Sequence, residues 1–215
     1  ISSYAALACI AIQSNQNDQH GGQGIPNFDY ALAKGVKKTY RRLLIENLRK
    51  ALSILAPDAG MDKQAVTEIV DAAEAKAGGP SLGRNEAYVR ALGEGLQARI
   101  GGAAAEQALQ FTLGESEQEF GRRTYQAMES VVHNLNSMHS RAGAQTPFSS
   151  INYGTDTSDE GRLVIRNILL ATEAGLGHGE TPIFPIQIFK LKAGVNYNPG
   201  DPNYDLFELA CHCSA

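Results

Sequence analysis

The sequence predicts an α/β fold with a helix-rich N-terminal portion, and three observations carry that reading. Between residues 140 and 190, Gly-bounded segments alternate strand, turn, helix, turn and strand, the order of a βαβ unit with parallel strands. Before residue 139 the apolar residues recur at three and four rather than at two, the period of amphipathic helices. The length, 215 residues, suits one ordinary domain with a sizeable core and does not by itself require two. The chain is therefore read as a single segment, mostly helical over 1–139 and βαβ over 140–215.

Composition narrows the function classes. A net charge of -4 argues against nucleic acid as a main partner, because tracking phosphates needs a surplus of Lys and Arg. No apolar run approaches the roughly 20 residues of a membrane-spanning helix. The longest, Tyr4 to Ile12, lacks the charged start and cleavage site of a signal peptide. Three cysteines, Cys9, Cys211 and Cys213, are too few for a disulfide framework and suit a reducing cytoplasm. Cys211 and Cys213 flank His212, but no second ligand pair exists at zinc spacing, and helical positions two apart point to different faces. A structural role is the better reading for them. An Ile at position 1 and a helix still running at Ala215 read as an interior piece of a longer polypeptide.

From Ser2 to Ile12 small and apolar residues precede a polar QSNQNDQH run that breaks at Gly21-Gly22, which predicts a helix buried at its start. Asp18 and His20 sit beside the double glycine, where backbone can approach a ligand closely; a solvated helix terminus is the plainer alternative. GIPNFDYALAKGV reads as turn-like, with Pro26 fixing one dihedral and Gly35 marking a break. A strong helix follows, with Tyr40, Leu43, Leu44, Leu48, Ala51, Leu52 and Leu55 as its apolar stripe and Pro57 as its stop. Lys34, Lys37, Lys38, Arg41 and Arg42 concentrate positive charge on its first turns. A phosphate group could use them, although such runs are usually solvated faces.

Residues 61–139 read as helical scaffold. Val66, Ile69, Val70 and Ala73 form a short stripe ended by Gly78, Gly79 and Pro80; AYVRALGEGLQARI is a helix with tolerated glycines; Phe120, Met128, Val131, Val132 and Leu135 mark a long helix to about Met138. His133 and His139, six apart, do not share a face. Arg141 and Gly143 then open the stretch on which backbone and polar side chains converge. The strand FSSINY sends Phe148, Ser150 and Asn152 to one side and Ser149, Ile151 and Tyr153 to the other. A helix follows Gly154, with a capping box from Thr157 to Glu160 and Asp159 in its first turn, and it exits at Gly175. The second strand is placed at Ile183 to Lys190, irregular at its start because of Pro182 and Pro185, with Glu180 just ahead of it. DLFELACHCSA begins a last helix capped at Asn203 or Asp205.

Three of these strings, QSNQNDQHGGQGIPNFDYALAKGV, SRAGAQTPFSSINYGTDTSDEGR and GHGETPIFPIQIFKLKAGVNYNPGDPNYDLFELAC, resemble, in this order, the anaerobic ribonucleoside-triphosphate reductases, the glycyl-radical class of ribonucleotide reductase. The resemblance covers 1–40 and 139–215 closely and the helical middle weakly. It implies a ten-stranded α/β barrel of two parallel five-stranded halves. It also implies reduction of ribonucleoside triphosphates at the 2' carbon through a glycyl radical and a transient thiyl radical, with formate as reductant. The implied cofactors of a full-length enzyme are the glycyl radical, a zinc site and activation by an iron–sulfur, S-adenosylmethionine-dependent activase. The implied partners are substrate, nucleoside triphosphate effectors, that activase and a second copy in a homodimer.

The family's MGCR-type thiyl loop, its early-strand cysteine and its RVxGY-like glycyl segment do not occur in this sequence. The resemblance therefore assigns no catalytic residue, metal ligand or cofactor here, and the isolated chain is expected to be inactive. By the same resemblance, 1–139 is the effector and dimer side, with Asp18 and His20 as candidate effector contacts. Ser149, Ser150 and Asn152 are candidate substrate-wall residues in the barrel, though their side chains could equally satisfy buried backbone groups. Two other readings stay open: a non-catalytic nucleotide-binding or assembly module, and a different glycyl-radical enzyme with a related barrel.

Overall fold

A computed structural model describes residues 1–19, 21–79, 85–139 and 145–214. Its elements in order are α1 (Ser2–Asp18), β1 (Gln23–Ile25), α2 (Phe28–Leu55), a 3-10 turn (Pro57–Ala59), α3 (Lys63–Ala77), α4 (Glu86–Ile100), α5 (Gly102–Ser137), β2 (Ser149–Tyr153), α6 (Asp159–Ala174), β3 (Ile186–Phe189) and α7 (Tyr204–Cys213). The described chain is mixed and mostly helical, with one three-stranded parallel sheet in the order β1-β2-β3. None of its helices is long and apolar enough to cross a membrane. It divides into two compact units, Ile1–Val36 with Arg123–Ala215, and Lys37–Arg122.

The second unit is helical. Its core takes Tyr40, Leu43, Leu44, Leu48 and Leu52 from α2, Val66 and Val70 from α3, and Tyr88, Leu92 and Leu96 from α4, all nearly or fully buried. Each such leucine contributes on the order of 1.5–3 kcal/mol relative to exposure. Asp62 caps α3 by accepting from the Ala65 N–H at 2.8 Å, and Asn85 caps α4 by accepting from Tyr88 at 3.2 Å. Gly95 lets α4 approach α3, since a Cβ there would meet the Ile69 side chain at 2.9 Å. Tyr40 and Phe120 meet edge to face with centroids 5.2 Å apart.

The first unit carries the sheet. Gln23, Gly24 and Ile25 pair with Ser149, Ser150 and Ile151, and Ser150 to Tyr153 pair with Ile186 to Phe189. The βαβ reading of β2, α6 and β3 holds. Several finer expectations do not. The stretch read as a turn from Gly24 to Phe28 supplies part of β1, and α2 begins at Phe28 and runs through Gly35 without a break. Gly35 is instead a packing position: a Cβ there would lie 2.6 Å from the Tyr4 ring of α1. The cap of α6 is Ser158, whose hydroxyl accepts from the Gly161 N–H at 3.1 Å, one residue beyond the expected Thr157. The second strand is shorter than expected because Pro182 and Pro185 cannot donate to a ladder, and regular pairing starts after the cis Phe184–Pro185 bond. Asn203 does occupy the N-cap of α7, but its side chain makes no capping bond and is used elsewhere.

Candidate functional site

The parallel strands end together, so the segments after Ile25, Tyr153 and Phe189 meet at one edge of the sheet. Gly154 turns the chain there with φ +119, and a Cβ would crowd the Lys190 carbonyl oxygen at 3.1 Å. Asp29, on the first turn of α2 and fully buried, is aimed at that turn. One carboxylate oxygen accepts from the N–H groups of Gly154, Thr155 and Asp156 at 2.9, 3.1 and 3.0 Å, and the other from Tyr30 at 3.1 Å.

Two buried asparagines close the cluster from the other side. The Asn196 amide donates to the carbonyls of Gly154 and Lys190, both at 2.8 Å, while its oxygen accepts from Lys192 N–H. The Asn203 amide donates to the carbonyls of Gly154 and Asp156 at 3.1 and 2.9 Å, and its oxygen accepts from Arg162. Lys190 Nζ reaches across to the Pro26 carbonyl and the Asn27 side chain at 2.9 and 2.7 Å. These groups satisfy one another. The carboxyl end of the sheet, where a ligand is the ordinary expectation for parallel strands, is stapled shut by protein groups.

The open part of the sheet is one of its faces. Ser149, Ile151 and Tyr153 are buried on the covered face, whereas Ser150 and Asn152 are half-buried on the other. Their β3 partners in register are Ile186 and Ile188, 43% and 40% exposed. A cavity of about 290 Å³ on this face is lined by Gly22, Gly24, Phe148, Ser150, Ile186 and Ile188, among others. Gly24 is required by closeness, because a Cβ would sit 2.8 Å from the Ser150 hydroxyl oxygen. The structure thus brings two of the three candidate wall residues, Ser150 and Asn152, to the open face. Ser149 lies on the covered side, 1% exposed, with its hydroxyl unpartnered among the described residues.

Asp18 is the last residue of α1 and is exposed; His20 lies outside the described residues, as does the expected turn at Gly143. A second cavity, about 250 Å³, lies between α6, β3 and α7, with walls from Leu169, Phe189 and Phe207. Tyr153 Oη and Gln187 Oε1 are buried there with no hydrogen-bond partner among the described residues, and burial pushes the Cys213 thiol up to about 11, with the neighbouring Glu173 carboxylate adding to the effect. Gln187 and Phe189 share the less exposed face of β3, as strand alternation requires, but nothing in the sequence signalled a hollow beneath α7. Among the described residues no three His, Cys, Asp or Glu side chains gather as a metal would need.

Comparison with known proteins gives a consistent result. A family described as "Anaerobic ribonucleoside-triphosphate reductase" matches residues 1–215. The anaerobic ribonucleoside-triphosphate reductases of Escherichia coli K12 and of Haemophilus influenzae are each 39% identical over 95 residues, which is 44% of this chain and 13% of the relative. The enzyme of the same name from Enterobacteria phage T4 is 36% identical over 109 residues, 50% of this chain and 17% of the relative. The matched stretch thus takes up less than a fifth of each relative's length.

Proposed function

The chain belongs to the anaerobic ribonucleoside-triphosphate reductase family, and from that premise we propose that it is a segment of the catalytic barrel domain of such a reductase, an enzyme converting ribonucleoside triphosphates to 2'-deoxyribonucleoside triphosphates. The observation that carries this reading is the family match across all 215 residues. The parallel order β1-β2-β3 supports membership of a larger barrel, for which the open face with Ser150 and Asn152 would be the inner wall toward substrate. Ser149 would support that wall from its covered side.

In the same proposal the glycyl and thiyl radical chemistry, the formate reductant and the zinc site belong to parts of the reductase other than this segment. Cys9 lies in α1, outside the strings that carry the radical chemistry, and takes no part in it in this proposal. Asp18 and His20 are proposed contacts for a nucleoside triphosphate effector on a helical side that also forms a homodimer. The enzyme would work in the cytoplasm with its activase.

Two measurements test this. Supplied with activase, formate and ribonucleoside triphosphates, the isolated chain should form no deoxynucleotide, because proximity of the radical groups cannot come from absent residues; measurable product would overturn the assignment as a segment. Calorimetry with dATP, dTTP, dGTP and ATP at fixed magnesium should show saturable binding that Asp18→Ala with His20→Ala weakens. Binding indifferent to both substitutions would remove those residues from the effector site.

A further inference from the structure

The hollow beneath α7 has apolar walls and a polar floor. Leu169 of α6, Phe189 of β3 and Phe207 of α7 wall a space of about 250 Å³. Phe189 meets the Tyr153 ring edge to face with centroids 5.8 Å apart, and the tilted Phe207 ring at 6.2 Å, so the lining is largely aromatic. The floor comes from two adjacent parallel strands. Tyr153 of β2 pairs in register with Phe189, and Gln187 lies two residues before Phe189 on the same face of β3.

Each floor residue presents an atom whose bonding capacity the described residues leave unused. Tyr153, 0% exposed, has no hydrogen-bond partner for Oη among them, and burial pushes its phenol up, so the group keeps its proton and can donate as well as accept. Gln187 is held in one orientation. The Thr172 hydroxyl gives its single proton to the Ile168 carbonyl at 2.8 Å, so toward Gln187 it can only accept, and it does so from Nε2 at 3.1 Å. Oε1 is thereby left as a buried acceptor with no partner among the described residues. The Cys213 thiol, also in the lining, is hydrogen-bonded to the Glu173 side chain instead. Buried polar atoms are rarely left in this condition.

We propose that this hollow is a binding site for a small neutral phenol, one aromatic ring carrying one hydroxyl. The ring lies against Leu169, Phe189 and Phe207, while its hydroxyl donates to Gln187 Oε1 and accepts from Tyr153 Oη. Size agrees, because an apolar cavity of about 150 Å³ already holds benzene and this one is larger. Charge agrees too: no Lys, Arg, Asp or Glu is among the described residues that line the hollow, and an unpaired charge is costly to bury. A water molecule would bond the two polar atoms but leave the aromatic walls uncovered. The inference rests on placement and hydrogen-bonding capacity and does not depend on the reductase reading; neither Asp18 nor Ser149, Ser150 or Asn152 is among the lining residues.

The test is an NMR titration of the full chain with phenol, benzene and anisole, the last having the ring and an acceptor oxygen but no hydroxyl proton. Phenol should bind saturably, shift the Leu169 methyl signals, and bind at least about fivefold more tightly than either of the other two. Tyr153→Phe and Gln187→Met, with helix content checked by circular dichroism, should each weaken phenol at least about threefold and leave benzene unchanged. Tyr197→Phe, exposed and outside the hollow, should alter neither. If Tyr153→Phe does not fold, Gln187→Met decides alone. Phenol no tighter than benzene would mean that water alone meets the polar atoms and would overturn the site. So would absence of saturable binding, or an unchanged phenol affinity in either variant that folds. None of these results bears on the family reading or on Asp18 and His20.

Discussion

Asp29 determines more of the local structure than any other single side chain at the strand ends. Its carboxylate is the acceptor for four backbone N–H groups, three of them on the turn at Gly154. Truncation leaves those donors buried and unpaired, at about 1–3 kcal/mol each before relaxation. We expect Asp29→Ala to lose at least about 3 kcal/mol in urea unfolding. Asp29→Asn keeps one side-chain oxygen and should lose less. Equal losses would mean that the carboxylate's acceptors do not matter. Cys9 offers a pH handle at the same scale: burial pushes its thiol from 9.0 to about 11, slightly opposed by a hydrogen bond with Asn134. The folded state then holds the proton longer than the unfolded chain. Its contribution is whole below pH 9 and is lost as pH rises toward 11, up to about 2 kcal/mol. Stability of the parent should therefore fall more steeply over that interval than that of Cys9→Ala, and parallel curves would count against it.

At the scale of elements, glycine in a helix has opposite meanings at different positions. Gly35 lies against the Tyr4 ring, and a Cβ at Gly161 would fall 2.2 Å from the Asp156 carboxyl carbon, while at Gly114 in α5 a Cβ meets nothing within 4 Å. Alanine is favoured over glycine in a helix by about 1 kcal/mol, whereas overpacking costs typically 1–3 kcal/mol. Gly114→Ala should thus raise the unfolding midpoint, and Gly35→Ala and Gly161→Ala should lower it. A shared sign for all three would refute the packing explanation. The same contrast explains what could be read in advance. Periodicity revealed the helices because the Leu43, Leu44, Leu48 and Leu52 stripe is a local pattern, and Gly154 with its flanks revealed the βαβ turn. It could not reveal that Gly35 is a contact, because Tyr4 is 31 residues away in sequence. Nor could it reveal β1, which is three residues long and pairs with Ser149 to Ile151, more than 120 residues away in sequence. The candidate face with Ser150 and Asn152 followed from alternation, whereas the staple of Asp29, Asn196 and Asn203 joins residues up to 174 positions apart, for which local pattern has no signal.

For the whole molecule, the consequential feature is that the described sheet has both β1 and β3 as outer strands and one face uncovered. Phe148, Ile186 and Ile188, 52%, 43% and 40% exposed, line the cavity on that face beside the unpaired edge of β3. Contiguous apolar surface next to unsatisfied strand donors and acceptors favours pairing with another chain. Light scattering on a size-exclusion column should therefore show association that increases with protein concentration. The double variant Ile186→Lys, Ile188→Lys should shift the chain toward the smaller species and lower its binding of a hydrophobic dye. Because both side chains are already substantially exposed, it should change unfolding free energy by less than about 1 kcal/mol. A mass independent of concentration in the parent, or association unaltered by the two lysines, would show that this face does not drive contact between copies. Any association would then have to arise from other exposed apolar groups, such as Ile54 and Phe111 on the helical unit, 78% and 46% exposed.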